Sequence, residues 1–339
     1  MQIMLSKIFI LVATTVSLGV SEPNPLREIV SAGQPRQIFQ FGNLVEIESL
    51  TVRANGDLLV TTPSPSAEIW QLDPTAFNGS ARHVASLNSS SALGILEIGE
   101  DVFAVTNGKV VSGPKGVAGS FSLQILKVAG AQNYNATIIS HITVPEAGFL
   151  NKLASLQPHS DTILASDSNK GVVYAINTTS GSVQIVLQDA ETMSPDTTVF
   201  PVGINGIQRV GSYLYYVNSS KGLLNRVRLR HNGTAAGPYE TIANFSSTLS
   251  LPDDFAILPN GEAFIAGSNQ IAHVRPNGLF TILAGGVNDR ILAGATSARF
   301  GRGTASRTLY ITSSGHISSP ANITFVEPGK VMEIEINEH

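Results

Sequence analysis

Short apolar runs separated by tight polar turns recur along the chain. The clearest case lies between Leu251 and Gly267, where the apolar run 255–258 meets a Pro-Asn-Gly turn and a second apolar run, 263–266, comes after it. Two apolar runs around a tight turn predict a β-hairpin. Five other segments show a related arrangement. No helical period of useful length occurs beyond the N-terminal segment, so the pattern favours an all-β fold.

The spacing of these repeats predicts the architecture. Their second strands begin at successive separations of 44, 60, 52, 49 and 46 residues, near Leu58, Val102, Thr162, Leu214, Ala263 and Leu309. Each separation is close to the length of one β-propeller blade. A short alternating strand from Arg36 to Phe41 has no neighbour to pair with, and it can complete the last blade and close the ring. We therefore predict one domain over residues 21–339, a six-bladed β-propeller closed by an N-terminal strand.

The N-terminal segment predicts entry into the secretory pathway. Lys7 precedes an apolar run over residues 8–18, and the small residues 19–21 suit cleavage, so residues 1–20 are predicted to be a signal peptide. The apolar run is too short to span a bilayer comfortably, and we expect no membrane association after cleavage. Eight Asn-x-Ser/Thr sequons agree with a secreted or secretory-route glycoprotein, at Asn78, Asn88, Asn135, Asn177, Asn218, Asn232, Asn244 and Asn322.

Composition narrows the classes of function. The chain is 42 % hydrophobic and 14 % charged, which supports a large core and argues against disorder. The net charge of −4, without a basic stripe, argues against nucleic acid as a partner. The absence of cysteine excludes thiol catalysis and disulfides. Small molecules are the expected partners, and the sequence indicates no particular oligomeric state.

Polar side chains recur at one phase of the repeats. The innermost strand of each propeller blade starts near the central channel, so the position just before that strand faces a shared axial site. Counting back nine to eleven residues from the second strands reaches Glu48, Ser91 or Ala92, Asn151, Asn205, Asp253, and Ala298 or Arg299. Four oxygen-bearing side chains therefore converge from four blades. Each of them alone could instead cap a turn, as Asn and Asp commonly do.

The converging set has the chemistry of a hard-cation site. Glu48 and Asp253 supply carboxylates, and Asn151 and Asn205 supply amide oxygens. Such ligands suit calcium or magnesium and do not suit copper or structural zinc. The sequence thus predicts that a divalent cation can bind on the propeller axis.

The segments that carry these residues resemble a known family. Four of them are similar to the metal-ligand segments of the SMP-30/gluconolactonase family: Ile47-Glu48-Ser49, Leu150-Asn151-Lys152, Ile204-Asn205-Gly206-Ile207 and Leu251-Pro252-Asp253. The resemblance covers nearly the whole chain after the signal peptide and implies a six-bladed propeller with a divalent cation on its axis. Asp254 replaces a Gly that is usual in that family, and the Trp that often comes after the Glu is absent. Both departures concern the lactonase activity more than the fold.

A fungal subgroup of this family shows further similarity. The segment Phe300-Gly-Arg302, the run 309–315, the sequons and the secretory signal all resemble that subgroup. It includes the hetero-Diels–Alderases of tropolonic sesquiterpenoid pathways, which join a reactive quinone methide to a humulene-type alkene. This resemblance implies a pericyclase that binds small apolar substrates and requires no cofactor for cycloaddition.

Three functions remain open from the sequence. A pericyclase needs no nucleophile, because holding both partners in a reactive pose removes much of the entropic barrier. Its candidate pocket residues are Phe149, Leu150, Phe255 and Phe300, with Arg302 as a candidate catalytic residue, although each aromatic side chain could instead pack between blades. A metal-dependent lactone hydrolase would use Asp253 or Asp254 as the proton acceptor. A secreted binding propeller without catalysis is the third possibility.

Overall fold

The computed structural model describes residues 31–76, 79–129, 135–158, 160–319 and 322–337. The predicted signal peptide lies outside these residues. Nearly all regular structure within them is β-strand, and the predicted six-bladed β-propeller is confirmed. None of the helical structure in this part of the chain has the length and apolar character that a membrane crossing requires.

The first two blades come after two short N-terminal strands, β1 (Ser31–Ala32) and β2 (Arg36–Gln40). Blade 1 is a four-stranded antiparallel sheet of β3 (Ser49–Val52), β4 (Leu58–Thr62), β5 (Glu68–Leu72) and β6 (Ala81–Ser86). Blade 2 begins with β7 (Ser91–Gly99) and β8 (Val102–Gly108), then carries an inserted hairpin of β9 (Val110–Ser112) and β10 (Lys115–Gly116). It is completed by β11 (Ser122–Val128) and β12 (Ala136–Thr143).

The next three blades are regular four-stranded meanders. Blade 3 contains β13 (Leu150–Ser155), β14 (Thr162–Asp167), β15 (Val172–Asn177) and β16 (Val183–Gln188). Blade 4 contains β17 (Ile204–Val210), β18 (Tyr213–Asn218), β19 (Leu223–Leu229) and β20 (Ala235–Asn244). Blade 5 contains β21 (Pro252–Ile257), β22 (Ala263–Gly267), β23 (Gln270–Val274) and β24 (Phe280–Gly285).

Blade 6 closes the ring. It begins with β25 (Ala295–Phe300) and, after a short 3-10 turn at Gly303–Ala305, continues with β26 (Thr308–Ser313). A hairpin of β27 (His316–Ser319) and β28 (Asn322–Val326) then leads to β29 (Lys330–Asn337). Both β1 and β2 pair antiparallel with β29, so the N-terminal segment supplies the outer strand of the last blade. This is the closure that the sequence predicts, and it removes a free sheet edge.

The hydrophobic core lies between the blades rather than at the centre of the ring. Six clusters of buried side chains can be distinguished among the described residues, one at each junction between neighbouring blades. At the junction of blades 6 and 1, for example, Tyr310 and Val331 pack with Leu50 and Val60. Because every junction buries apolar side chains at roughly 25 cal/mol per Å² of apolar surface, the closed ring is stabilised without disulfides.

Bulges interrupt the starts of five innermost strands. The pairing register shifts between Ala92 and Ile95, Leu150 and Leu153, Ile204 and Ile207, Pro252 and Asp254, and Ala295 and Ser297. Such bulges twist a strand and redirect its side chains. Gly206 belongs to one of them, and a Cβ there would lie 2.6 Å from Asp254 Cα. The sequence places glycine here because blades 4 and 5 approach each other too closely for a side chain.

Candidate functional site

A cavity of about 580 Å³ opens at the end of the ring where the innermost strands begin. All six blades contribute to its lining, which places it on the propeller axis. Glu48, Asn151, Asn205 and Asp253 all line it, so the structure brings together the four residues that the sequence places at one phase. Three of them, Asn151, Asn205 and Asp253, lie in the bulges described above, and this explains why they turn toward the axis.

A lysine ammonium lies between the two carboxylates of this set. Lys152 is only 1 % exposed, and its Nζ donates hydrogen bonds to Glu48 Oε1 at 2.9 Å and to the Glu48 backbone oxygen at 2.8 Å. Asp253 Oδ1 is 3.8 Å from the same nitrogen. Glu48, Lys152 and Asp253 come from blades 1, 3 and 5, so the lysine side chain crosses toward the middle of the channel. The buried ammonium is thus held by carboxylates from alternate blades.

The two asparagines form a chain of hydrogen bonds that ends on Asp253. Asn151 Nδ2 donates to Asn205 Oδ1 at 2.7 Å, and Asn205 Nδ2 donates to Asp253 Oδ1 at 2.9 Å. The hydroxyl oxygens of Ser168 and Ser219 accept the other amide protons. Asn151 Oδ1 is buried without a hydrogen-bond partner among the described residues. The floor of the cavity therefore keeps one free acceptor.

Burial and mutual repulsion perturb the acidic groups of the site. Burial first and the Glu48 carboxylate second raise the pKa of Asp253 well above its ordinary value. Burial also raises the pKa of Glu48, against the opposing effect of Lys152. For Lys152, burial is the largest influence and lowers the pKa, yet the carboxylates of Glu48, Asp253 and Asp254 together outweigh it and raise the pKa overall. The lysine is therefore a permanent positive charge beneath the cavity.

This arrangement does not fit the predicted divalent-cation site. A metal ion bound to both Glu48 and Asp253 would lie within about 4 Å of the Lys152 ammonium, where its double positive charge would be repelled by about 8 kcal/mol at an effective dielectric constant of about 20. The oxygen ligands are present, but a lysine already provides the cation.

Asp254 is adjacent to Asp253 in sequence and differs from it in environment. Its side chain is fully buried, and its Oδ2 forms an ion pair with Arg299 Nη2 at 2.9 Å and accepts a hydrogen bond from Ser297 Oγ at 2.7 Å. Asp254 does not line the cavity. Its contacts join blades 5 and 6, so the structure gives this predicted proton acceptor a stabilising role between blades.

The predicted aromatic and aliphatic pocket residues separate into two groups. Phe149 lines the cavity, where it packs edge-on against Phe121. Leu150 and Phe255 are fully buried in the cores between blades and do not reach the cavity. Leu150 is next to the axial Asn151, and alternation of strand side chains points it between the blades. Phe255 is two residues from the axial Asp253, but the bulge between Pro252 and Asp254 shifts the phase, so it also points between the blades.

Phe300 and Arg302 lie at the opposite end of the channel. Phe300 packs edge-on against Phe264, and it is four residues beyond Thr296, a lining residue of the cavity, or roughly 13 Å along an extended strand. Arg302 forms an ion pair with Glu97, near the far end of β7. The structure therefore does not bring these two residues to the predicted pocket.

Much of the cavity wall comes from loops that the repeat pattern does not describe. Phe200 and Val202 precede β17, Val110 and Val111 belong to the inserted hairpin of blade 2, and Leu251 precedes β21. Val111 is 69 % exposed, whereas Asn151 is 2 % exposed. Apolar side chains therefore form part of the mouth, together with polar ones such as Glu46 and His316, and the floor carries the buried polar residues. In the sequence, the long separation between the second strands of blades 2 and 3 was the signal that indicated the inserted hairpin.

The predicted glycosylation sites differ in accessibility. Four are exposed in the structure, at Asn88, Asn135, Asn232 and Asn244, and Asn177 is half-buried. Asn218 is fully buried, and its Nδ2 donates to the backbone oxygens of Thr192 and Ser194, so the folded chain leaves no room for a glycan there. Asn78 lies outside the described residues, and the structure does not describe the side chain of Asn322.

The fold and the axial cavity define a class of protein, the six-bladed β-propellers with a cavity on the axis. Similar solved structures include the calcium-binding protein regucalcin from Agrobacterium tumefaciens, with a TM-score of 0.59 and 15 % identity over 90 % of this chain and 95 % of that one. A gluconolactonase from Xanthomonas campestris gives a TM-score of 0.59 and 11 % identity over 94 % of this chain and 99 % of that one. At these identities the likeness concerns the fold alone.

Sequence comparison is more specific. A Phoma sp. protein named "Putative hetero-Diels-Alderase" is 25 % identical over 348 residues, covering 94 % of this chain and 97 % of the relative. "Putative hetero-Diels-Alderase asR5" from Sarocladium schorii is 28 % identical over 316 residues, covering 82 % of this chain and 77 % of the relative. No protein-family model matches the chain. The chain thus resembles the hetero-Diels–Alderase subgroup in sequence, and this similarity supports an enzymatic function.

Proposed function

We propose that the protein is a biosynthetic pericyclase of the hetero-Diels–Alder type, which aligns a reactive quinone methide with an apolar terpenoid alkene in the axial cavity. The observation that carries the proposal is the amphipathic character of this cavity. Its wall carries apolar side chains near the mouth and polar ones on the floor, and this suits a substrate pair in which one partner has an oxygen at one end and the other is a hydrocarbon. A volume of about 580 Å³ is within the range of small-molecule sites.

The reaction requires little chemistry from the protein. The quinone methide supplies a C=C–C=O unit and the alkene a C=C unit; one C–C and one C–O bond form, and three π bonds are replaced by one. No proton, electron or leaving group enters or departs. Catalysis can therefore come from holding both partners in a reactive pose, which is worth about 7 kcal/mol or more in well-oriented systems.

Different parts of the cavity orient the two partners. Phe200, Val202 and Leu251 offer apolar surface to the alkene. The floor residues Asn205 and Asp253 lie at the end of the cavity that we assign to the oxygen of the quinone methide. Asn205 already donates its amide protons to Ser219 and Asp253, so the donor to that oxygen is the protonated form of Asp253, which burial favours by raising the pKa of this carboxyl. A hydrogen bond to that oxygen stabilises the charge that develops in the transition state. The names of the sequence relatives support the pericyclase proposal and say nothing of these residues.

A comparison of two phenylalanines tests the proposal. Purified protein is mixed with humulene and an ortho-quinone methide generated in solution, and the cycloadducts are quantified against a protein-free sample. We expect a higher rate and a changed product ratio with the wild-type chain. Phe200→Ala should lose most of this effect, because Phe200 lines the cavity, whereas Phe300→Ala should retain it. Both phenylalanines are half-buried, so the substitutions are matched.

Circular dichroism confirms that both variants are folded. An unchanged product ratio with the wild-type protein would remove the pericyclase proposal. Equal loss in both variants would move the reaction away from the axial cavity.

A further inference from the structure

Lys152 occupies a special position in the ring. It is the second of two bulge residues at the start of β13, and the corresponding bulge positions in blades 2 and 4 are Gly94 and Gly206. A Cβ at Gly94 would lie 2.5 Å from Asn151 O, and one at Gly206 would lie 2.6 Å from Asp254 Cα. Blades 2 and 4 therefore have no room for a side chain at this position, and blade 3 places a long cationic one there.

The contacts of Lys152 are those of a cation in an oxygen cage. Its Nζ lies 2.9 Å from one carboxylate oxygen of Glu48, 2.8 Å from the Glu48 backbone oxygen and 3.8 Å from Asp253 Oδ1. Asn205 Nδ2 donates to Asp253 rather than offering an oxygen to the centre. Asn151 Oδ1 is left without a partner among the described residues.

We propose that the Lys152 ammonium is a built-in axial cation, which takes the place that a divalent metal ion would occupy between Glu48 and Asp253 and keeps such an ion out. Lys152 is a positioning residue, since it is buried and does not line the cavity. Its charge orients the two carboxylates that form the floor. The inference does not depend on the cycloaddition, because it concerns only what the axis binds.

Removing the ammonium changes the charge balance on the axis. Glu48 and Asp253 carry up to two negative charges, and Lys152 supplies one positive charge. Shortening the lysine to alanine leaves an empty volume between the Glu48 and Asp253 carboxylates, and the adjacent residue Asn151 keeps a free acceptor in the cavity floor. A divalent ion with oxygen ligands fits such a space. The variant should therefore gain a metal site that the natural chain lacks.

Metal titration tests the inference without any substrate. Chelator-treated wild-type protein and Lys152→Ala are each titrated with MnCl2, free Mn²⁺ is counted by electron paramagnetic resonance, and CaCl2 is used as a competitor. We expect no stoichiometric binding to the wild-type chain. Lys152→Ala should bind one Mn²⁺ per chain at least tenfold more tightly than the wild type, and CaCl2 should displace it. The double variant Lys152→Ala/Asp253→Asn should lose this binding.

A second buried lysine provides a matched control. Lys330 is 4 % exposed and pairs with Glu327 at 2.5 Å, in blade 6 and away from the four axial residues. Lys330→Ala should gain no metal site. If both lysine variants gained binding equally, the axial assignment would be contradicted.

The wild-type titration keeps the inference testable even if Lys152→Ala does not fold. Stoichiometric Mn²⁺ or Ca²⁺ binding to the natural chain that Asp253→Asn abolishes would overturn the proposal. In that case the lysine does not exclude the metal. A folded Lys152→Ala that binds no metal would overturn it as well.

Discussion

Removal of the Lys152 ammonium should destabilise the folded chain strongly, in contrast to removal of an exposed cation. In Lys152→Met, the carboxylate of Glu48 stays within the site without its partner. Lys152 is 1 % exposed and Glu48 15 % exposed, so the pair is buried, and breaking a buried pair from one side costs about 3–5 kcal/mol. At the lower figure, a domain of about 320 residues, with an unfolding entropy of about 2.1 cal/mol/K per residue, loses about 4–5 °C in Tm.

A double-mutant cycle separates the ion pair from general loss of packing. Lys152→Met, Glu48→Gln and the double variant are unfolded in urea, and the free energies of unfolding are compared. The double variant should be more stable than the sum of the single losses predicts, by about 1.5–3 kcal/mol, which is the range for hydrogen bonds to charged groups. The control is Arg36→Met: Arg36 is 67 % exposed, and its pair with Glu333 should contribute no more than about 1 kcal/mol. Two results would refute a stabilising buried pair: additive losses of unfolding free energy in the double variant, or a smaller loss for Lys152→Met than for Arg36→Met.

The contacts of three other positions give further expected outcomes. Gly206→Ala should lower the free energy of unfolding by about 1–3 kcal/mol, because the added Cβ would lie 2.6 Å from Asp254 Cα. Gly99→Ala should lower it less, because the nearest atom to its Cβ is 3.6 Å away, and thermal unfolding of both variants checks this difference. Arg299→Met should lower the free energy of unfolding by about 3–5 kcal/mol, because it leaves the buried Asp254 carboxylate without its cation. The side chain of Arg302 is 44 % exposed, so Arg302→Met should lower it by about 1 kcal/mol or less in the same urea titration. Mass spectrometry of protein from a eukaryotic secretory host should find no glycan on the buried Asn218, while a glycosylated and folded Asn218 would contradict the packing of β18.

The spacing of turns and apolar runs was sufficient to predict the ring. Every observed second strand begins within one residue of its predicted start, because a propeller repeats one local unit and each unit shows its own hairpin signal. The position of the N-terminal strand was also predictable, because a strand with no partner nearby in the sequence has few possible positions in a closed ring. Convergence of Glu48, Asn151, Asn205 and Asp253 resulted from the same periodicity.

The chemistry at the centre was harder to predict, because it depends on which way a bulged residue points. Lys152 stands beside Asn151 in the sequence, and a lysine between Leu150 and Leu153 was the one visible sign that a charge enters the core. Repeat spacing contains no information on the reach of a side chain across the channel. Repeat spacing also did not predict which end of the channel a residue reaches. Phe300 and Arg302 lie in the innermost strand of blade 6 and the turn after it, but at the end of the channel opposite the cavity.

The central claim is that the axial cavity holds both reaction partners in one orientation, and the enantiomeric ratio of the cycloadduct tests it most directly. The quinone methide and humulene are combined with and without the wild-type protein, and the adduct is separated by chiral chromatography. A chiral cavity lined by all six blades should give one enantiomer in large excess, against equal amounts in the protein-free sample. Equal amounts of both enantiomers in the presence of the folded protein would contradict the claim.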